Sequence, residues 1–123
     1  MEKRILVVDD EPDIIKVVVF RLKKAGYKIV EVENGKEALD ALRHGEKIDL
    51  VLLDLIMPVM DGYQCCRALK ADADWKDIPV IVLSAESGQD IREKAKQLQA
   101  DDFIVKPFDT ETLIAKIRKL TGE

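Results

Sequence analysis

Short apolar runs alternate with amphipathic stretches along the whole of this 123-residue chain. The apolar runs are typical of buried strands and fall at residues 4–9, 28–32, 49–54, 79–84 and 102–105. Between them, apolar residues recur every three or four positions. That spacing predicts helices from Pro12 to a stop at Gly26, over 35–44, 61–72 and 88–98, and from a cap at Asp109 or Thr110 to about Leu120. Such alternation predicts an α/β fold in which one parallel sheet carries helices on both faces.

The order of the strands follows from their composition. The first strand is almost entirely apolar, so we expect it near the centre of the sheet. Residues 28–32 alternate polar and apolar side chains, which is typical of an edge strand. Since right-handed crossovers leave few arrangements, these properties favour a doubly wound, five-stranded, flavodoxin-like sheet of order 2-1-3-4-5. In this order the connections change direction across the sheet between strands 1 and 3. The change leaves a crevice at the carboxyl ends of these two strands, and ligands of open α/β sheets bind in such a crevice.

Polar residues stand at the carboxyl ends of four apolar runs. Asp9 and Asp10 follow the first run, Asp54 ends the third, Ser84 ends the fourth and Lys106 follows the fifth. Because the carboxyl ends of parallel strands lie at one edge of the sheet, we expect these side chains to converge. Clustered carboxylates repel one another, and a divalent cation removes that repulsion. The set therefore predicts a site for a cation and a phosphoryl group.

The available ligand types favour magnesium at this site. Mg²⁺ takes oxygen ligands and is commonly bound by a few carboxylates together with a phosphate. No Cys or His stands where zinc or copper would need one. We expect Asp9 and Asp10 to hold the metal and Asp54 to be the nucleophile, because a carboxylate can attack phosphorus and form an aspartyl phosphate. Lys106 and Ser84 would bind the phosphoryl oxygens.

Each of these residues also has a plainer interpretation. Asp10 could cap the helix that starts at Pro12, and Asp54 could only form a turn. A single Ser such as Ser84 is more often a cap than a ligand, and a single Lys such as Lys106 is usually a solvated charge. Their coincidence at the ends of four strands favours the functional interpretation.

The composition excludes several other classes of protein. The net charge is −4 with both signs interspersed, so no basic stripe predicts nucleic-acid binding. No apolar run approaches the ~20 residues of a membrane span, and no secretory signal is recognisable. Cys65 and Cys66 are adjacent, which suits reduced thiols better than a disulfide. We therefore expect a cytoplasmic protein that contacts neither membrane nor nucleic acid.

Four segments resemble the receiver domain of bacterial two-component response regulators. They are residues 5–11 (ILVVDDE), 53–62 (LDLIMPVMDG), 79–85 (PVIVLSA) and 100–108 (ADDFIVKPF). In this order and spacing they are highly specific, and they cover essentially the whole chain. The resemblance implies one receiver domain over residues 1–123, of the stand-alone, chemotaxis-type form. The residues alone leave open a fragment of a longer regulator.

The resemblance also implies roles for single residues. Asp54 matches the phosphorylation site, which takes a phosphoryl group from a phosphohistidine on a sensor histidine kinase or a phosphotransfer protein. Lys106 matches the lysine that pairs with the phosphoryl group, and Ser84 matches the switch hydroxyl, so these two and Asp54 form the implied catalytic group. The implied magnesium ligands are Asp9, Asp10, Asp54 and the backbone carbonyl of Ile56.

The implied mechanism is a conformational switch. Phe103 matches the switch aromatic, where the family often has Tyr, and the Lys106–Pro107 peptide is usually cis in the family. Phosphorylation would draw Ser84 towards the new charge, and Phe103 would rotate inwards. The surface of the fourth helix, fifth strand and fifth helix would then bind an output protein. The resemblance implies a signalling module, not an enzyme, that promotes its own phosphorylation and dephosphorylation as a monomer or a phosphorylation-dependent dimer.

Three other interpretations stay open on the residues. A phosphohydrolase with an aspartate nucleophile would carry a second acid two residues on, which Asp54-Leu55-Ile56 lacks. A flavodoxin-like nucleotide carrier would need a phosphate-binding loop after the first strand, where Asp9-Asp10-Glu11 would repel phosphate. A degenerate receiver that only binds proteins is disfavoured, since all the expected site residues are present.

Overall fold

Five strands and five helices alternate along the part of the chain that the computed structural model describes, residues 2–57, 60–85 and 89–122. In chain order they are β1 (Arg4–Val8), α1 (Pro12–Lys24), β2 (Lys28–Val32), α2 (Gly35–Arg43), β3 (Leu50–Asp54), α3 (Gly62–Ala71), β4 (Val80–Ser84), α4 (Gln89–Gln97), β5 (Asp102–Val105) and α5 (Thr110–Thr121). The predicted bounds of β1, β3 and β4 each differ from these by one residue. The predicted start of α4 at residue 88 lies outside the described residues.

The strands form one parallel sheet of order β2-β1-β3-β4-β5. This confirms the predicted doubly wound topology, with β2 at one edge and β1 inside the sheet. Every residue of β3 and β4 is buried, because helices cover both faces of these strands. Asp54 and Ser84 therefore project from the two most deeply buried strands of the molecule.

Two apolar layers hold the sheet between the helices. On one face, α2, α3 and α4 contribute Ala38, Leu39, Leu69, Ile91 and Ala95 to a core that also contains alternate residues of β1, β3 and β4. On the other face, α1 and α5 contribute Val18, Leu22, Leu113, Ile114 and Ile117. Burying one such aliphatic side chain contributes about 1.5–3 kcal/mol. The strand ends that carry the polar residues are thus fixed from both sides.

Side chains cap three helices near the carboxyl edge of the sheet. Asn34 accepts a hydrogen bond from the Glu37 N–H at 2.9 Å, and Asp61 forms a reciprocal capping box with Gln64. Asp109 accepts one from the Thr112 N–H at 2.7 Å, and this bond lowers the pKa of Asp109. Asp109, not Thr110, is therefore the cap of α5.

The start of α1 is different. Its N-cap residue is Glu11, and among the described residues no side chain makes a capping hydrogen bond there. The plainer interpretation of Asp10 as the cap of this helix is therefore wrong. Pro12 at the first helical position removes one N–H that would otherwise need a partner, which makes a side-chain cap less necessary here.

Gly62 brings the start of α3 against the end of β3. Its N–H donates to the Leu55 carbonyl at 3.0 Å. A Cβ atom at this position would lie 2.1 Å from the Asp54 carbonyl oxygen and 2.5 Å from the Leu55 Cα. Only glycine allows this approach, which sets the position of the backbone that carries Asp54.

Lys70 ties the end of α3 to the starts of β4 and β5. Its Nζ lies 2.9 Å from Asp101 Oδ2 and donates to the carbonyls of Lys76 at 3.2 Å and Ile78 at 3.1 Å. The same Asp101 oxygen accepts from the Val80 N–H at 2.8 Å. Since only 10% of the Lys70 side chain is exposed, its loss removes a buried cationic donor from one carboxylate and two carbonyls.

We expect Lys70→Met to lower the free energy of unfolding by ~1–2 kcal/mol, because it keeps the aliphatic stem but removes all three donors. Urea denaturation measures this change. Arg43→Met is the control, since its pair with Asp40 at 3.4 Å is 60% and 44% exposed and such pairs contribute little. An equal decrease in the free energy of unfolding of the two variants would show that the buried contacts of Lys70 stabilise the protein no more than an exposed ion pair does.

Candidate functional site

The ends of β1, β3 and β5 bring one lysine among three carboxylates. Lys106 Nζ lies 2.7 Å from Glu11 Oε1, 3.1 Å from Asp54 Oδ2 and 3.3 Å from Asp9 Oδ2. The side chains of Asp9, Asp54 and Lys106 are only 1%, 5% and 11% exposed, whereas that of Glu11 is 53% exposed. The structure thus gathers three of the residues selected from the sequence, and adds Glu11 to them.

Burial and the neighbouring carboxylate of Asp9 raise the pKa of Asp54 to about 6. The hydrogen bond and charge of Lys106 oppose this rise, as does the Ile56 N–H, which donates to Asp54 Oδ1 at 3.2 Å. Near neutral pH most Asp54 side chains are therefore ionised, and each is a buried carboxylate with an unshared oxygen lone pair. That is the state in which a carboxylate acts as a nucleophile.

The Lys106 ammonium stays protonated at this site. Burial acts to lower its pKa, but the hydrogen bonds of Glu11 and Asp54 and the charges of Asp54 and Asp9 outweigh burial and raise it. A fixed positive charge next to an ionised Asp54 can bind the oxygens of a group that becomes attached there. The interpretation of Lys106 as a solvated surface charge does not agree with its burial.

An all-oxygen cluster suited to a hard cation lies in the same place. Carboxylate oxygens of Asp9, Glu11 and Asp54 lie within 4.8 Å of one another. Among the described residues, no other group of three or more acidic, His or Cys side chains is spaced to hold a metal ion. Oxygen donors at this spacing fit magnesium. Burial, and after it the charge of Asp9, raise the pKa of Asp54, and a cation bound among these carboxylates would lower it.

Asp10 lies outside this cluster. Its side chain is exposed and lines a mainly acidic groove, whose other charged residues are Asp9, Lys16, Glu31, Glu33 and Glu37. Glu11 is the site residue that sequence reasoning missed. Its signal was present, because it is the third consecutive acid after β1, but nothing in the sequence shows which of the three turns towards Lys106.

The remaining predicted residues lie at the end of β4, just after β3 and within β5. Ser84 ends β4 and is 4% exposed. Its backbone carbonyl accepts a hydrogen bond from the Lys106 backbone N–H at 2.7 Å. The side chain of Ile56 is 68% exposed. Phe103 lies opposite Val82 in the sheet and is half-buried against the core formed with α2, α3 and α4.

Phe103 is flanked by a charged pair. Lys116 Nζ lies 3.0 Å from Asp102 Oδ2 and 5.9 Å from the centre of the Phe103 ring. A cation at this distance from an aromatic face is attracted to it. The ring therefore has a charged neighbour on α5 and an apolar one in the core.

Two smaller expectations are met. The Lys106–Pro107 peptide is cis, and Cys65 and Cys66 are free and buried. Burial raises the pKa of the Cys65 thiol to about 12 and that of Cys66 to about 11, so both remain unreactive thiols. None of the helices within the described ranges has the length and apolarity that crossing a bilayer requires.

Comparisons with known proteins agree with this geometry. The family model of the response regulator receiver domain matches residues 5–118. The probable transcriptional regulator ycf27 of Guillardia theta is 41% identical over 117 residues, which are 95% of this chain and 44% of that protein. The chain spans 44–48% of the length of the curated relatives of this kind that it matches.

Solved structures give the same result. The signal receiver domain of a histidine kinase from Syntrophus aciditrophicus is 36% identical with a TM-score of 0.89, and the match covers 98% of this chain and 90% of that one. The receiver domain of the sensor histidine kinase PA1611 from Pseudomonas aeruginosa is 29% identical with a TM-score of 0.89, over 100% of both chains. That structure has a magnesium ion coordinated in its active-site cleft.

Proposed function

We propose a phosphorylation switch centred on Asp54 for this chain, which belongs to the receiver domain family of response regulators. Receiver domains are signalling modules of two-component systems. One observation carries the assignment to Asp54: it is a buried carboxylate at the end of β3, and its Oδ2 lies 3.1 Å from the Lys106 ammonium. The donor is a phosphohistidine on a sensor histidine kinase or a phosphotransfer protein.

The transfer is a displacement at phosphorus. An oxygen of the Asp54 carboxylate forms a bond to phosphorus while the bond from phosphorus to the imidazole nitrogen breaks, and the imidazole leaves with its electron pair and takes a proton from solvent. Such transfers depend mostly on positioning and charge neutralisation. Lys106 binds a phosphoryl oxygen, and Ser84 donates a further hydrogen bond. By the same contacts, the domain promotes its own phosphorylation and dephosphorylation.

Mg²⁺ is the proposed cofactor. The cluster of Asp9, Glu11 and Asp54 supports this choice, as does the magnesium ion in the related Pseudomonas aeruginosa structure. Asp9 and Asp54 would hold the ion, and the further ligands would be the Ile56 carbonyl and Asp10, which lines a groove together with Asp9. When bound, the ion neutralises charge on the phosphoryl oxygens and on the clustered carboxylates.

The output is a change at the surface of α4, β5 and α5. Phosphorylation adds nearly two negative charges beside Asp54, Ser84 moves towards them, and Phe103 rotates into the space that Ser84 leaves. The half-buried position of Phe103 between the core and Lys116 supports two packings of its ring. The changed surface binds an output protein. We assign residues 1–123 to a single receiver domain, cytoplasmic, and either monomeric or dimeric upon phosphorylation.

Incubation with acetyl phosphate and MgCl2 tests this function. Mass spectrometry of the intact protein should show one added phosphoryl group, and peptide mapping should place it on Asp54. We expect EDTA to prevent the addition, because the carboxylate cluster then repels the incoming anion. The proposal fails if no adduct forms, or if the adduct maps to another residue.

A further inference from the structure

Glu11 makes the shortest contact to Lys106, although the function proposed above gives it no role in the transfer. Its Oε1 lies 2.7 Å from Lys106 Nζ, compared with 3.1 Å for Asp54 and 3.3 Å for Asp9. We infer that Glu11 is a positioning residue that occupies the Lys106 ammonium before phosphorylation and releases it when Asp54 takes up a phosphoryl group. This inference rests on the proposed phosphorylation of Asp54.

The hydrogen-bonding capacity of Lys106 favours such a release. An ammonium has three N–H donors and no acceptor. Carboxylates of Asp9, Glu11 and Asp54 take all three. An additional oxygen from a phosphoryl group has no donor left at Lys106 until one carboxylate withdraws.

Exposure identifies the carboxylate that withdraws. The side chains of Asp9 and Asp54 are 1% and 5% exposed, and both are short and stand at the ends of buried strands. Glu11 is 53% exposed, with a longer side chain. A carboxylate that rotates into water is fully solvated, whereas a buried one that loses its partner is not. Glu11 is therefore the partner whose exchange costs least.

Hydrogen bonds fix the backbone at Glu11, whereas, among the described residues, its half-exposed side chain is bound only at its carboxylate end, by Lys106. The Glu11 N–H donates to Asp9 Oδ1 at 3.0 Å, and its carbonyl accepts from the Ile15 N–H at 3.1 Å in the first turn of α1. Release therefore needs only side-chain rotation. While the contact persists, Glu11 also places a negative charge close to where the anionic phosphoryl group must bind.

The experiment compares Glu11→Gln with the unchanged chain in binding beryllofluoride, a non-covalent analogue of the phosphoryl group. Each protein is titrated at saturating Mg²⁺, so that differences in metal affinity do not contribute. We expect about fivefold tighter binding for Glu11→Gln, the size typical of losing one partly exposed ion pair, and a similar gain in the rate of modification by acetyl phosphate. Glu11→Ser, with a residue favoured at helix N-caps, repeats the test if the Gln variant does not fold.

Asp13→Asn is the matched control. It removes the same charge from an exposed residue in the first turn of α1, and should change beryllofluoride binding less than about twofold. If the unchanged chain binds no beryllofluoride and accepts no phosphoryl group, the proposed function fails and this inference with it. If it does both, and Glu11→Gln binds equally or less tightly, the inference alone is overturned. Equal tightening in Asp13→Asn would also overturn it, by showing a general effect of charge.

Discussion

We expect that replacing Asp54 by Asn abolishes phosphoryl uptake and at the same time makes the protein more stable at neutral pH. Uptake is lost because an amide is not a nucleophile towards phosphorus. Stability rises because the ionised Asp54 is buried beside Asp9, and the amide has no charge to desolvate. From a pKa raised from 3.8 to about 6, we expect a gain of about 3 kcal/mol in the free energy of unfolding above pH 7.

The gain in stability depends on pH in a defined direction. A carboxyl whose pKa is higher in the folded state binds its proton more tightly there, so stability falls as pH rises through the interval between the two pKa values. For Asp54 this interval runs from 3.8 to about 6. The advantage of Asp54→Asn should be absent below this interval and complete above it.

Urea denaturation across this pH range in EDTA measures the difference, and mass spectrometry after acetyl phosphate treatment measures uptake. Asp13→Asn is the control, since it changes one exposed acid, and we expect its stability to stay within ~0.5 kcal/mol of the unchanged chain. Added Mg²⁺ should reduce the difference in the free energy of unfolding between Asp54→Asn and the unchanged chain. An ion that binds only the folded state stabilises that state, and we expect it to bind the unchanged chain more tightly. A stability difference between the two proteins that is the same at both ends of the pH range would contradict the raised pKa of Asp54.

The second large effect is expected at Gly62. In a helix, Gly→Ala normally stabilises a protein by up to ~1 kcal/mol. At Gly62 the new Cβ would meet the backbone of Asp54 and Leu55 at 2.1 and 2.5 Å, and backbone atoms cannot turn aside as a side-chain tip can. We therefore expect Gly62→Ala to lower the free energy of unfolding by about 3 kcal/mol, at the upper end of overpacking effects.

Phosphoryl uptake should also slow in Gly62→Ala. The clash between the new Cβ and the backbone of Asp54 can be removed only if α3 and the end of β3 move apart, and this movement displaces Asp54. The control is Gly45→Ala, where φ is +89° but, chain neighbours aside, no atom of the described residues lies within 4 Å of the new Cβ. It should cost about 1 kcal/mol through backbone strain and leave uptake unchanged. A stabilised Gly62→Ala variant would mean that helix propensity outweighs the contact with β3.

The fold could be predicted from the sequence because local patterns and overall topology agree. The alternation of residues 28–32 placed β2 at an edge, and the uniform apolarity of 49–54 placed β3 inside the sheet. Strand ends of a parallel sheet share one side, so Asp9, Asp54 and Lys106 could be expected to meet before any distance was known.

The rest depends on side-chain directions and long-range contacts that no local pattern encodes. The sequence does not show that Glu11 turns towards Lys106 while Asp10 faces the acidic groove, because this depends on the backbone after β1. Nor does it show that Lys70 reaches Asp101, 31 residues away. The requirement for glycine at Gly62 arises only when α3 docks on β3.

The outer strands of the sheet limit how this protein can assemble. Lys28 and Glu31 are exposed on β2, and on β5 the carboxylate of Asp102 is bound by Lys116. Ionic side chains along an open edge discourage the addition of a strand from a neighbouring molecule. Association through helical faces and loops is therefore favoured, and we expect the sheet to stay five strands wide in the complexes that the protein forms.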